Sequence, residues 1–184
     1  MRLARLLSVL AACAAAALIV SGCGKKEGNA EPKREGLGLE VGGLKYRVYI
    51  TRQINQHDAE DRSYYDGPEA PPGTTYYGVF LTACNEGDQP LKPVDDFTVR
   101  DNQGNEFKPL ELPETNDFAY RPRRLVKGAC VPEAGSAPAN GPTGGALLVF
   151  KIPVQSIENR PLELEIEDVN DKGKLEKGEI ELDL

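Results

Sequence analysis

Residues 37–184 of the 184-residue sequence predict an all-β domain, an antiparallel β-sandwich. Three observations predict it. Short stretches alternate apolar and polar residues with period 2, clusters of Gly, Pro, Asn and Asp separate them, and no window sustains an apolar repeat of 3.6 residues. Several short strands with such turns stack as two sheets around one core.

The strands follow in order. Leu44, Tyr46, Val48 and Ile50 alternate with Lys45, Arg47, Tyr49 and Thr51, which gives a strand with one buried face. Tyr76 to Cys84 is nearly apolar on both faces and therefore central. Phe97 and Val99 alternate with Thr98 and Arg100. Asp101 to Asn105 then supplies turn chemistry before Phe107 resumes the pattern, so this segment is a hairpin. Ala146 to Ile152 is apolar and β-branched enough for a core strand, and Pro153 closes it. A helical turn fits Val154 to Glu158. Leu162, Leu164 and Ile166 alternate with Glu163, Glu165 and Glu167, and Ile180, Leu182 and Leu184 alternate with Glu181 and Asp183, forming a terminal hairpin across Asp171, Lys172 and Gly173.

The N-terminus reads as an address. Arg2 and Arg5 precede an apolar run from Leu6 to Val20, long enough for a secretory signal and short for a membrane span. The run ends in Val20-Ser21-Gly22-Cys23, which resembles the lipobox of bacterial lipoproteins. That resemblance implies cleavage after residue 22, lipidation of Cys23, and a protein anchored in the cell membrane on its extracytoplasmic side. Two or three acyl chains are needed for a firm hold, since each buried methylene contributes about 0.8 kcal/mol. Residues 23–36 mix Gly, Pro and charge and read as a lipidated start followed by a flexible tether. Loss of Arg2 and Arg5 makes the mature chain two charges more acidic than the −7 of the full sequence.

Cysteine use follows compartment. Cys13 leaves with the signal peptide and Cys23 takes lipid, so Cys84 and Cys130 remain as a pair in an oxidising setting, where a structural disulfide is the default. No C-x-x-C spacing and no neighbouring His suggests redox chemistry.

Taken together, these features resemble the bacterial lipoproteins whose exported part is an immunoglobulin-like domain of unknown function, a family sometimes labelled telomeric repeat-binding factor-like. The resemblance is carried by Tyr77 to Asp88, a hydrophobic strand ending in an Asn-x-Gly-polar turn. Phe97 to Asp101 followed by Gly104 and Phe107 adds to it, as does Gly144-Gly145-Ala146 through Pro153. It implies an immunoglobulin-like β-sandwich and a cell-envelope location, and brings no catalytic residues. The departures are the Cys84 and Cys130 pair, the long insert from Arg52 to Thr74, and the absence of Trp.

Function is bounded mostly by exclusion. Acidic balance argues against nucleic acid, whose phosphates are met by clustered Lys and Arg. One His and one Met argue against His-rich zinc and Met-rich copper sites, so no cofactor or metal is expected. His57 beside Asp58, with Asp61 and Ser63 nearby, is the one constellation open to hydrolysis, and a solvated polar loop is its plain competitor. Asp168, Asn170, Asp171 and Gly173 followed by Glu179 echo the spacing of a calcium loop. Lys172 stands where a ligand belongs, and a hairpin turn explains the same residues. Tyr64 and Tyr65 beside a Pro-rich segment, and the basic cluster Arg121, Arg123 and Arg124, are candidate contacts for an envelope protein or polymer. The expectation is a non-catalytic binding or scaffold module, with loops 52–74 and 113–145 as contact regions because long loops on a rigid sandwich carry recognition. An envelope hydrolase using the His57 loop and a calcium-dependent module at 168–179 are the alternatives.

Overall fold

The computed structural model describes residues 31–170 and 172–184; the segment expected to be a signal, Cys23 and most of the expected tether lie outside the described residues. Among the described residues ten strands form two five-stranded sheets. In sheet 1 the order is β1 (Lys33–Arg34), β10 (Leu175–Glu181), β9 (Glu163–Val169), β5 (Phe97–Arg100) and β6 (Glu106–Phe107). Sheet 2 runs β2 (Leu39–Val41), β3 (Leu44–Ile54), β4 (Thr74–Cys84), with β8 (Ala146–Pro153) and the short β7 (Cys130–Val131) sharing the far edge of β4. Every pairing is antiparallel except β1 with β10. Strands β4, β5, β6, β8, β9 and β10 alternate between sheets as B, C, C′, E, F and G do in an immunoglobulin domain.

The period-2 patterns decide which faces meet. Phe97, Val99, Leu164, Ile166 and Ile180 of sheet 1 are buried against Tyr46, Val48, Val79, Leu81 and Ala83 of sheet 2. Gly178 allows this contact to close at β2: a Cβ there would lie 2.6 Å from Leu39 and 2.8 Å from Val41. Gly42 turns β2 into β3 with φ +60, and its amide donates to Glu176 Oε2 at 3.0 Å, fastening the turn to β10.

Sheet 2 carries a second core on its outer face. Tyr76, Phe80, Leu147 and Val149 point away from the sandwich and are covered by Ile54, Tyr64 and Tyr65, with Leu110, Leu112 and Phe118 beside them. The cover is the 52–74 insert, which contains α1 (Ala59–Tyr64), together with the 109–119 segment. Asn116 Nδ2 donates to the Tyr64 carbonyl at 2.8 Å and ties the two segments together. Helix α1 starts where Asp58 accepts from the amides of Glu60 and Asp61, a side-chain cap on its free N–H groups. Two further short turns, α2 (Ala137–Asn140) and α3 (Val154–Ile157), flank β8; the second is the turn expected at Val154.

Two expectations change. The fold begins before residue 37: Lys33 and Arg34 pair with Ile180 and Glu181, and Glu35 accepts from Thr51 N at 3.2 Å and from Asp183 N at 3.0 Å. Those residues belong to the domain because their backbone donors complete an open sheet edge. Tyr76 is buried in the outer core while Tyr77 is buried in the inner one. Tyr64 and Tyr65, expected as a contact surface, are 2% and 7% exposed, because the outer faces of β4 and β8 need an apolar cover.

Candidate functional site

The 109–122 segment leaves β6 and crosses the free edge of β8, held by backbone bonds. Leu110 N donates to Val149 O at 2.7 Å, Leu147 N to Phe118 O at 2.7 Å, and Tyr120 N to Leu147 O at 2.9 Å. Between its two passes lies a groove of about 700 Å³. Pro109, Leu110, Leu112, Pro113, Pro122 and Leu148 supply apolar walls. Asp95, Asp96, Glu111 and Glu114 stand among the lining residues with Lys108 and Arg121, so the carboxylates outnumber the cations. Lys108 is engaged by Asp96 at 2.6 Å.

One side of the groove is fixed by tyrosine. Val94 N donates to the Tyr46 hydroxyl at 3.0 Å, and the Tyr120 hydroxyl donates to Val94 O at 3.0 Å. Burial pushes the Tyr46 hydroxyl up to about 12, and burial likewise raises Tyr120, so both stay neutral donors and acceptors across physiological pH. Edge-to-face contacts of Phe97 with Tyr46 and Tyr120, at centroid distances of 6.4 and 5.2 Å, lock the rings. Sequence reasoning missed Tyr120 as a groove residue. Its signal was its position directly before an Arg-Pro-Arg-Arg run.

The basic cluster is partly committed. Arg121 Nη2 donates to Pro113 O at 2.6 Å and pins the two passes together, and Arg123 Nη2 donates to Cys130 O at 3.2 Å with Glu133 at 3.7 Å. Arg124 is exposed. Arg121 and Arg123 also line a neighbouring depression of about 270 Å³ with Glu114, Asp117 and Glu133. The two arginines therefore sit among carboxylates.

The hydrolytic constellation is not assembled. His57 is exposed, Asp58 caps α1, Asp61 is buried against Arg52 at 2.6 Å, and Ser63 Oγ donates to Glu60 O at 2.6 Å. Each neighbour of His57 thus has a structural partner of its own. The calcium-like spacing also comes apart. Asp168 pairs with Glu176 in register while Glu179 pairs with Glu165, and Glu179 lies 3.4 Å from Lys177. Asn170 Oδ1 accepts from the amides of Lys172 and Lys174, as a hairpin turn requires. Asp171 lies outside the described residues, and no group of three or more His, Cys, Asp or Glu side chains able to hold a metal occurs among the described ones.

Cys84 and Cys130 form a disulfide between β4 and β7, where the two residues are register partners. It joins neighbouring strands of one sheet. The bridge of antibody domains spans two sheets.

No family model and no curated protein matches the chain. Among solved structures it is similar to the yjhA protein from Bacillus subtilis, with 15% identity and a TM-score of 0.55 over 82% of this chain and 99% of that one. It also matches the candidate lipoprotein ycdA from Bacillus subtilis at 13% identity and a TM-score of 0.46, covering 78% of this chain and 38% of the other. An uncharacterized β-sandwich protein from Clostridium difficile 630 matches at 13% identity and a TM-score of 0.46, covering 82% and 94%. At such identities the likeness to yjhA is one of fold alone.

Proposed function

We propose that this chain is a lipid-anchored, extracytoplasmic binding module without catalytic action, and that its contact surface is the groove between residues 108–114 and 119–122. The single observation that supports the contact surface is the groove itself. Backbone bonds to β8 and the Tyr46 and Tyr120 hydroxyls hold its walls in place, so binding would order little that is not already ordered. Apolar walls with an excess of carboxylates suit an extended segment of an envelope protein bearing apolar and basic side chains. An anionic polymer fits less well, since Arg121 and Arg123 are held by backbone carbonyls among acids. The lipobox at Cys23 and the disulfide suit an oxidising envelope compartment.

The test places a photo-crosslinking residue at Glu111 in the groove or at Gln103 in the β5–β6 turn of the full-length protein in its native membrane. Discrete adducts from Glu111, none from Gln103, and their loss in Ala119→Arg are expected. Equal labelling from both positions, or adducts that survive Ala119→Arg, would reject the groove as the contact surface.

A further inference from the structure

The direction of β1 sets the side from which the tether enters the sandwich. Because β1 is parallel to β10, with Lys33 beside Ile180 and Arg34 beside Glu181, the chain preceding Lys33 arrives from the side of Leu175 and the β9–β10 turn. Lys33 follows Cys23 by ten positions, a reach of at most about 35 Å. Lys33 lies level with Ile180, five positions along β10 from Leu175, or about 17 Å of that reach. A lipidated Cys23 can therefore reach past the turn, by at most about 18 Å.

The outer face of sheet 1 changes character toward that same end. Its cross-strand rungs are Glu163 with Glu181, Glu165 with Glu179, Glu167 with Lys177, and finally Val169 with Leu175. The last rung is 55% and 60% exposed, although every other rung on that face is charged. The turn beyond it carries Lys172 and Lys174 with Asp171. Val126, 60% exposed, lies at the same end, because Leu125 pairs with Leu91 just past the end of β4, and Gly43 of the β2–β3 turn is next to Leu91. Along sheet 1, lysines, then apolar side chains, then carboxylates succeed one another away from the turn. That is the order an anionic bilayer surface favours, with cations at the headgroups, apolar groups at the interface and acids held off.

We infer that the β9–β10 turn, with Val169 and Leu175, is a lipid-contacting tip that rests on the bilayer surface and orients the domain. This rests on the anchored reading above. The acidic face and the 108–122 groove then stand away from the membrane.

The absence of Trp makes the test direct. Leu175→Trp, Val154→Trp at the opposite end and Tyr49→Trp on the exposed side of β3 are each made in the full-length lipidated protein. They are reconstituted in phosphatidylglycerol and phosphatidylethanolamine vesicles doped with phosphatidylcholine brominated along its acyl chains. The expected result is a blue shift and loss of the larger part of the Leu175→Trp emission, with Val154→Trp and Tyr49→Trp little changed. Flotation with the vesicles, lost in Cys23→Ala, reports anchoring separately. Protein that floats through Cys23 but quenches equally at all three sites, or most at Tyr49→Trp or Val154→Trp, overturns the tip and leaves the anchor standing. Protein that fails to float overturns both.

Discussion

Arg52 Nη2 lies 2.6 Å from Asp61 Oδ1, and the Asp61 side chain is 4% exposed. The contact is one of charge, since its geometry falls outside that of a hydrogen bond; the hydrogen bond comes from Asn55 N to Oδ2 at 2.8 Å. The pair fastens the first turn of α1 to the end of β3, and so holds the cover over the outer core. Removing one partner strands a buried charge. Arg52→Met is expected to cost about 2 kcal/mol, below the full penalty because Arg52 is one-third exposed and Asp61 keeps its amide donor. Urea unfolding of the two single variants and the Arg52→Met, Asp61→Leu double variant measures it. Additive effects would show that the ion pair contributes nothing specific.

Tyr64 makes edge-to-face contacts with Phe80 and Phe118, at centroid distances of 5.1 and 4.9 Å. Tyr64→Ala should therefore behave as a core truncation, costing about 3 kcal/mol or more in a urea melt. A loss under half that size would mean the insert is dispensable cover.

This outer core shows where the sequence was and was not legible. Seven of the ten described strands, the terminal hairpin and the disulfide partners could be read from alternation, turn residues and compartment, because those signals are local or involve a single pair; β1, β2 and β7, of two or three residues each, are too short to alternate. The third layer could not, because the 52–74 insert is rich in Pro and charge and reads as solvated. The clue lay in its target. Strand β4 is apolar on both faces and β8 nearly so, which in a two-layer sandwich leaves Tyr76, Phe80, Leu147 and Val149 without a partner. The groove was illegible for a related reason: the bonds that shape it run between Leu110 and Val149 and between Phe118, Tyr120 and Leu147, pairs of no fixed spacing.

Cys84 and Cys130 are separated by 46 residues in sequence. Closing a loop of that length removes denatured-state entropy worth up to about 4 kcal/mol in the chain-entropy model. The double Cys84→Ala, Cys130→Ala variant is expected to fold and to unfold at lower urea by a part of that amount. The native protein should release no thiol to a thiol reagent until reduced. Two thiols titrating in the native state would exclude the bridge.

Asp101 governs one part of the acid response. Burial alone would raise its carboxyl, but bonds from Asn105 Nδ2, Asn159 Nδ2 and the amides of Asn105 and Gln103 outweigh burial and hold it at about 2. A carboxyl lowered on folding stabilises fully above its unfolded value and loses that contribution as pH falls through the folded one. Asp101→Asn is therefore expected to cost on the order of 2 kcal/mol at neutral pH. It should also remove the share of acid destabilisation that falls between about pH 4 and pH 2. Thermal unfolding of both forms across that range tests it, and parallel curves would mean that another carboxyl carries the effect.

Glu163 responds in the opposite sense. Burial raises its carboxyl first, and Glu179, Glu165 and Glu181 add to the rise. Glu181 is its direct cross-strand partner, while Arg100, across from it on β5, is engaged by Glu165 at 2.5 Å and Glu106 at 2.7 Å. A carboxyl raised on folding destabilises the fold when ionised, and this penalty disappears once pH falls below the unfolded value. Glu163→Gln removes the charge while keeping the shape. It should raise neutral-pH stability by up to about 1 kcal/mol, the scale of a like-charge cross-strand pair. The gain should vanish below about pH 4, where both proteins are neutral at that position. A gain of equal size at neutral and acid pH would assign it to strand preference and leave the acidic rungs of sheet 1 without electrostatic cost.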